Sequence, residues 1–354
     1  MLAPPSPPAT TPAATSPARR RLRDALRAGV SLVLLAALFR YGGVDARAVG
    51  GVIGQALGRP GSLLAAVLLY CVAGSLVRGL RWQALVRPLG HPIALSRATE
   101  LFLIGTFFNQ VLPTGMGGDV PKTLLLARDG EGDGLGRVRA ASSVLLDRAL
   151  GLMPLLAIGL VALPLAGDGI PPLVMALLAG FGIAGLGGLV VLIRADLWRP
   201  AAERVPGLGW VLGRAPVARF IGSFAEYGPR GLVVATGWGF AFALLLIGAN
   251  AFLGHAAGIP SDQAGLAEWA LVVPLVALSI LLPSLAGWGV REWSYVALLG
   301  TLADPVPAHT ATAVSLLFQA LNLLLALVGG LLYALRGDAR GIAREAPAAG
   351  RAPS

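Results

Sequence analysis

Three pairs of oppositely charged residues lie in or beside apolar segments of this sequence. The pairs are Asp119 with Lys122, Asp147 with Arg148, and Arg291 with Glu292. A charge at the centre of a bilayer costs about 2.5–3.5 kcal/mol on the insertion scale, so such a residue normally faces a partner or a cavity. Guanidinium groups suit bidentate binding of phosphate. The pairs therefore indicate either an anion site inside a membrane or a structural ion-pair network.

The spacing within each pair indicates whether its two residues can form an ion pair with each other. Asp147 and Arg148 are adjacent, so on a helix their side chains point about 100° apart and cannot satisfy each other fully. Each then needs a partner elsewhere, and the charges of the other two pairs are the candidates. Asp119 and Lys122 are three residues apart, which places them on one helix face where they can pair. Either Arg148 or Arg291 can meet a lipid phosphate.

Two of the apolar segments, 98–121 and 268–300, are interrupted by Pro and Gly. The stretch LPTGMGGDV at 112–120 aligns with LPSLAGWGV at 282–290, with Leu, Pro, a hydroxyl residue, Gly and Val at equal offsets. Pro cannot sustain an interior helical turn, and Gly permits positive φ. The alternatives are packing kinks or interfacial loops, but paired broken helices in an inverted repeat are typical of a transport site at the membrane midplane.

Residues at these two breaks are the candidate ligand contacts. Helix ends at a break leave backbone N–H groups free, and such groups can cradle an anion such as phosphate. Asn109 and Gln110 enter the first break, and buried amides there must find partners, one of which can be a ligand. The further candidates are Thr114, Gly117, Gly118, Ser284 and Gly287.

The composition sets the environment of these elements. The chain has 354 residues, of which 56% are hydrophobic and 13% charged, too few charges for a soluble domain. Several apolar stretches reach the length of about 18 residues that crosses a bilayer. The candidate full spans are 28–44, 61–80, 141–166, 171–193, 231–253 and 310–335. We therefore predict an all-α polytopic membrane protein with about six full transmembrane helices and two re-entrant hairpins.

The basic residues predict the orientation. The 28 Lys and Arg residues are concentrated at 19–27, 78–97, 122–139, 194–230 and 336–351, whereas the loops 167–170, 254–268 and 301–309 carry none. If all six spans cross and both broken segments re-enter, all five groups fall on one side. The positive-inside rule makes that side cytoplasmic. Both termini are then cytoplasmic in a bacterial inner membrane, and the two hairpins enter from opposite faces.

Two basic stretches have ordinary interfacial interpretations. Arg78 with Trp82 closes the second span, which is typical of a snorkelling arginine and a belt tryptophan. The segment 194–230, with six arginines and Trp198 and Trp210, predicts an amphipathic stretch that lies on anionic headgroups.

The sequence also narrows the chemistry. Cys71 is the only cysteine, the three histidines are far apart, and no Walker loop, GxSxG or HExxH motif occurs. We expect no metal and no cofactor. Because the net charge of +10 is spread over loops rather than along one stripe, we expect no nucleic-acid partner.

The motifs in order resemble one known family. Asn109, the run PTGMGGD at 113–119, Ser143, the run DRALG at 147–151, and the run from Leu282 through Glu292 resemble the lysylphosphatidylglycerol synthase transmembrane (flippase-like) family. The likeness covers most of residues 25–336. In place of the arginine that relatives commonly carry after Gly-Gly-Asp, this chain has Pro121-Lys122, and Trp288 replaces a residue that is often small.

The resemblance implies a membrane domain that handles aminoacylated phospholipids or lipid-linked sugars. It implies a functional role for Arg81, Asn109, Asp119, Asp147, Arg148 and Glu292. The expected domains are a disordered tail at 1–24, the flippase-like domain at 25–336 and a disordered tail at 337–354. The soluble acyltransferase domain of full synthases does not fit into the last stretch, so a separate soluble enzyme is a possible partner.

Three functions from different classes remain open. The first is a lipid flippase without its own ATPase, acting on an anionic or aminoacylated phospholipid or a lipid-linked sugar. The second is the membrane subunit of an enzyme with a lipid-linked substrate, although no nucleophile supports it. The third is a scaffold whose charges are purely structural.

Overall fold

Every regular element that the structure describes is helical. A computed structural model describes residues 17–112, 117–130, 136–165, 172–202, 204, 208–278 and 287–336. Its α-helices are α1 (Pro17–Tyr41), α2 (Ala46–Leu57), α3 (Pro60–Val67), α4 (Gly74–Val86), α5 (Leu95–Val111), α6 (Asp119–Asp129), α7 (Arg137–Ala162), α8 (Pro172–Ile193), α9 (Ala195–Ala202), α10 (Leu208–Leu212), α11 (Ala215–Ser223), α12 (Gly228–Ala256), α13 (Leu266–Leu278), α14 (Val290–Leu299) and α15 (Ala308–Leu335).

Four helical runs are long and apolar enough to cross a bilayer. They are Pro60–Leu89, Arg137–Ala162, Gly228–Ala256 and Ala308–Leu335. They confirm four of the six predicted spans. The first run joins α3 and α4 through a π-helical turn at Leu68–Ala73 and continues past residue 80, where the predicted span ended. The protein is therefore a multi-pass, all-helical membrane protein.

The other two predicted spans are less regular. The segment 28–44 does not continue straight, because Gly29–Tyr41 and Ala46–Leu57 form a pair bent by 96°. The segment 171–193 is helix α8, whose apolar part is Met175–Gly188. Helix α1 begins at Pro17, inside the tail predicted as disordered. Residues 1–16 and 337–354 of the predicted tails lie outside the described part of the chain.

Helices α5 and α6 run back along each other as a hairpin. At its open end, Arg97 Nε and Nη2 donate to the two carboxylate oxygens of Asp129 at 2.7 and 3.1 Å. Near its tip, the Gly118 N–H donates to Asn109 Oδ1 at 2.8 Å. A Cβ on Gly118 would lie 1.8 Å from the carbonyl oxygen of Gly105, so only glycine fits there. The tip itself, residues 113–116 with Thr114, lies outside the described residues.

Helices α13 and α14 form the second packed pair. Gly287 and Gly289, which precede α14, have φ of +85° and +83°, a conformation that favours glycine. The Trp293 indole N–H donates to the Leu34 carbonyl at 2.9 Å, which ties α14 to α1. The connecting residues 279–286, including Ser284, lie outside the described part of the chain.

Small residues let the long helices approach closely, as is common between helices in membranes. A Cβ on Gly239 of α12 would lie 2.3 Å from the Leu150 carbonyl oxygen of α7. A Cβ on Gly329 of α15 would lie 2.0 Å from the Leu103 carbonyl oxygen of α5. Backbone-to-backbone contacts of this kind hold the frame on which the charged side chains are placed.

Candidate functional site

A charged cavity of about 260 Å³ lies between α4, α5, α6, α7, α14 and α15. Eight of the predicted site residues line it: Arg81, Asn109, Asp119, Lys122, Asp147, Arg148, Gly287 and Arg291. Its wall also includes Tyr70, Arg78, Phe102, Gly105, Thr106, Gln110, Gly151 and Asn322. The structure thus brings charged residues that are distant in sequence to one place.

Asp147 is the centre of a buried charge cluster. Its Oδ1 accepts from Arg81 Nε at 2.8 Å, and its Oδ2 accepts from Lys122 Nζ at 3.1 Å. All three side chains are buried. Helices α4, α6 and α7 each contribute one of these groups, so the cluster joins three helices. The prediction that Asp147 needs partners away from Arg148 is confirmed.

Trp82 packs against this cluster. The Lys122 ammonium lies 3.9 Å from the centre of the Trp82 ring, and the indole N–H donates to Ser143 Oγ at 3.2 Å. Ser143 and Asp147 are four residues apart, which places both on one face of α7. The interpretation of Trp82 as an interfacial belt residue is wrong, because its side chain is fully buried.

Arg148 pairs with Asp119 beside the central cluster. Its Nη2 donates to Asp119 Oδ1 at 3.0 Å, and its Nε donates to Oδ2, so one edge of the guanidinium is engaged bidentately. Both side chains are partly exposed, at 27% and 21%. Asp119 and Lys122 share helix α6 but do not pair with each other, contrary to the prediction. Each pairs instead with α7, which fastens α6 to that helix.

Arg78 is buried inside an aromatic cage. Its guanidinium carbon lies 4.9, 4.1 and 4.5 Å from the ring centres of Tyr70, Phe102 and Phe242. Its Nε and Nη2 donate to the backbone carbonyls of Gly74 and Tyr70 at 3.0 and 3.4 Å. The interpretation of Arg78 as a snorkelling anchor is therefore wrong. The π-helical turn at Leu68–Ala73 carries Tyr70, and such turns are frequent at functional sites.

A chain of polar side chains links the two broken segments. Gln319 in the middle of α15 donates through Nε2 to Gln110 Oε1 at 3.2 Å, and its own Oε1 accepts from Arg291 Nη1. One turn further along, Asn322 Oδ1 accepts from the Tyr70 hydroxyl at 2.8 Å. Sequence reasoning missed Gln319 and Asn322. Two amides three residues apart in an otherwise apolar span were the signal for them.

Glu292, Gly117 and Gly118 do not line the cavity. Glu292 is buried, and its two carboxylate oxygens accept from the Gly289 N–H at 2.6 Å and from Ser315 Oγ at 3.1 Å. This carboxylate therefore caps the start of α14 and ties it to α15. Gly118 serves the close approach to Gly105 instead.

The lining of the cavity is positively charged. It includes five cationic side chains and two carboxylates, and both carboxylates, Asp119 and Asp147, are ion-paired. Within the described ranges, no group of three or more His, Cys, Asp or Glu residues could hold a metal ion. This arrangement suits an anionic ligand, because an excess of buried positive charge is costly until an anion neutralises it.

Fold and site define a multi-pass helical membrane protein with a charged cavity between its spans. The family model described as Lysylphosphatidylglycerol synthase TM region matches residues 25–330. The chain belongs to this family, a membrane domain associated with the synthesis and flipping of aminoacyl-phospholipids. No acyltransferase domain is detected in it. No curated protein and no solved structure matches the chain.

Proposed function

We propose that this protein is a lipid flippase that takes the headgroup of a phospholipid or lipid-linked sugar into the charged cavity. The membership of the family connects the chain to phospholipid handling. The observation that carries the proposal is the buried cluster of Arg81, Lys122 and Asp147, in which Arg81 and Asp147 lie on helical runs long enough to cross a bilayer and Lys122 lies on the short helix α6. A phosphate in this cavity would meet the cationic groups of Arg81 and Lys122, which are buried from water.

The ion pairs give each cationic group a defined direction. Asp147 holds one edge of Arg81 and the ammonium of Lys122, and Asp119 holds one edge of Arg148. Guanidinium donors that are already oriented lose less entropy when they bind a phosphate. Asn109 supplies an amide at the cavity wall whose oxygen is engaged by the Gly118 N–H. In this proposal the phosphate binds to hydrogen-bond donors that are already oriented before it arrives.

The two broken segments are the proposed re-entrant hairpins. The antiparallel packing of α5 and α6, clasped by Arg97 and Asp129, supports a re-entrant hairpin. The pair α13–α14 is the second hairpin in this proposal, and the two form an inverted repeat that enters from opposite faces of the membrane. The proposal includes a bacterial cell membrane and cytoplasmic termini, supported by the distribution of Lys and Arg.

The test is lipid translocation in liposomes that contain the purified protein. Fluorescent phospholipids on the inner leaflet are protected from a membrane-impermeant quencher until they are moved outward. We expect translocation by the native protein and a loss of about tenfold or more in Asp147→Asn, since two buried cations then lack a carboxylate. Arg139→Gln is the matched control, because Arg139 forms a surface pair with Glu226 at 3.1 Å.

Normal translocation by Asp147→Asn at equal protein yield would disprove the assignment of the site. The family's association with lipid synthesis leaves an enzyme subunit as the second candidate. Mass spectrometry of the lipids after incubation separates the two candidates. A new lipid mass would replace the flippase proposal with the enzymatic one.

A further inference from the structure

The distribution of charge in the cavity bears on which headgroups it accepts. The proposed function admits anionic headgroups and aminoacylated ones, which carry additional ammonium groups. An ammonium requires a carboxylate or other acceptor that is not already satisfied, whereas a phosphate requires donors. The two classes of lipid therefore make opposite demands on the same cavity wall.

Both carboxylates of the cavity already have their charge offset by cations of the protein, which leaves no uncompensated negative charge for an ammonium group. Asp147 accepts from Arg81 and Lys122, and Asp119 accepts two hydrogen bonds from Arg148. Glu292 does not line the cavity, and both of its oxygens accept hydrogen bonds elsewhere. The two segments 113–116 and 279–286, which lie outside the described residues, carry no charged residue in their sequence.

Donors, by contrast, remain for an anion. Arg78 is buried, and among the residues that the structure describes no carboxylate lies within ion-pair distance of it. Its three aromatic neighbours stabilise the cation without neutralising its charge. Arg81 Nη1 is also buried, with no hydrogen-bond partner in the described part of the chain. Both residues line the cavity and lie one helical turn apart on α4.

We infer that the cavity selects a phosphate whose headgroup has a net negative charge and rejects aminoacylated headgroups with a net positive charge. Arg78 and Arg81 Nη1 are the donors that make this selection. The inference rests on the proposed function for its setting in lipid transport, but the binding preference can be measured without transport. It separates this chain from the aminoacyl-lipid chemistry with which its family is associated.

The experiment compares two lipids that differ only by one ester-linked amino acid. Phosphatidylglycerol and lysyl-phosphatidylglycerol are titrated into the purified, detergent-solubilised protein, and the shift of the unfolding temperature gives each affinity. We expect phosphatidylglycerol to bind at least about tenfold more tightly. Equal or tighter binding of lysyl-phosphatidylglycerol would overturn the inference and leave the proposed flippase standing.

Two further titrations, with a polyprenyl phosphate and with inorganic phosphate, show which kind of molecule supplies the anion. A polyprenyl phosphate that binds as tightly as phosphatidylglycerol supports a site that recognises the phosphate whatever its lipid. Protection by millimolar inorganic phosphate alone supports the anion site and assigns it to a free ion. If no anion binds, the inference fails. If anionic lipids bind but liposomes show no translocation, the proposed flippase fails and the selectivity stands.

Variants then test the named donors. Arg78→Gln removes the cation while keeping a polar side chain, and we expect the preference for phosphatidylglycerol to fall about tenfold. Arg139→Gln removes a surface arginine and is expected to leave the preference unchanged. An unchanged preference in folded Arg78→Gln would rule out Arg78 as the selecting donor. Should that variant not fold, the two-lipid comparison on the native protein still decides the inference.

Discussion

The hairpin α5–α6 and the pair α13–α14 each carry two charged residues near the start of their second helix, yet they use them differently. In the first, Asp119 and Lys122 both line the cavity and both form ion pairs with α7. In the second, only Arg291 lines the cavity, with Gln319 as a neutral acceptor. Glu292 turns back to the backbone N–H of Gly289 and to Ser315.

The difference shows that similar motifs can have different energetic roles. The first hairpin is fastened by buried charges, so removal of one partner leaves the other uncompensated in a medium that does not solvate it. The second is fastened by hydrogen bonds between a carboxylate and uncharged donors, which cost less to lose. The first hairpin therefore combines ligand contact with structural support, whereas the second separates these roles between Arg291 and Glu292.

The largest expected difference in stability between the two regions comes from neutralising the carboxylate of Asp147. Asp147→Asn leaves Arg81 and Lys122 without a charged partner, and we expect a loss of about 3–5 kcal/mol in the free energy of unfolding. Chemical denaturation of the solubilised protein, followed by tryptophan fluorescence, measures it. Glu292→Gln in the second region is the matched carboxylate-to-amide change. Equal losses in the two variants would remove the distinction between the regions.

The glycines give a second contrast. Gly118 has φ of −74°, which any residue adopts, but no room for a Cβ. Gly287 has a positive φ, and a Cβ there would meet only the guanidinium end of the Arg291 side chain. We expect Gly118→Ala to cost about 3 kcal/mol, because backbone must move. Gly287→Ala should cost about 1–2 kcal/mol, the penalty of left-handed backbone. Thermal unfolding measures both, and the reverse order would contradict the packing of α5 on α6.

Removing the carboxylate of Glu292 should have an intermediate effect. Glu292→Ala leaves the Gly289 N–H and Ser315 Oγ without their acceptor, for an expected loss of about 1.5–3 kcal/mol. Because the residue does not line the cavity, affinity for a phosphate lipid in the folded fraction should stay within about twofold of native. A lipid titration of the variant, at a temperature where it is folded, checks this. A large loss of affinity would place Glu292 in the site.

The outer ion pair should contribute least to stability. Asp119 and Arg148 are partly exposed, so solvent screens them and Asp119→Asn should cost about 1 kcal/mol or less. Lipid binding should respond in the other direction, because removing a negative charge from the cavity wall favours an anion by more than the lost orientation of Arg148 disfavours it. We expect a small gain in affinity for phosphatidylglycerol, measured by titration. A stability loss as large as that of Asp147→Asn would show that the two pairs act as one unit.

The sequence predicted part of the charge pairing. Adjacent charges on one helix must find partners elsewhere, and the charges of both broken segments were the candidates for Asp147 and Arg148. The structure pairs these two residues with the α6 charges Lys122 and Asp119, and it pairs Asp147 also with Arg81, which the spacing did not predict. The sequence placed Arg78 at the membrane interface because a predicted apolar span is taken to end where charged residues begin. The helical run continues to Leu89, which puts Arg78 well inside it rather than at an interface.

Other features depended on tertiary contacts that no local pattern reports. Glu292 follows the second aligned motif at the offset at which Lys122 follows the first, but the backbone before α14 brings the Gly289 N–H to its carboxylate. The π-helical turn that presents Tyr70 has no signature in an apolar run. The polar residues of α15 contact both hairpins only because α15 packs against α5 and α14.

The tight seat of Gly329 on the Leu103 carbonyl has a mechanical consequence. Helix α5 cannot slide or roll on α15 without a backbone collision, so this arm of the hairpin is fixed. Helix α6 is seated on α5 in the same way, because a Cβ on Gly118 would lie 1.8 Å from the Gly105 carbonyl oxygen, and the Arg97–Asp129 pair joins the far ends of the two helices. The two arms of the first hairpin are therefore expected to move together with α15, as one rigid unit.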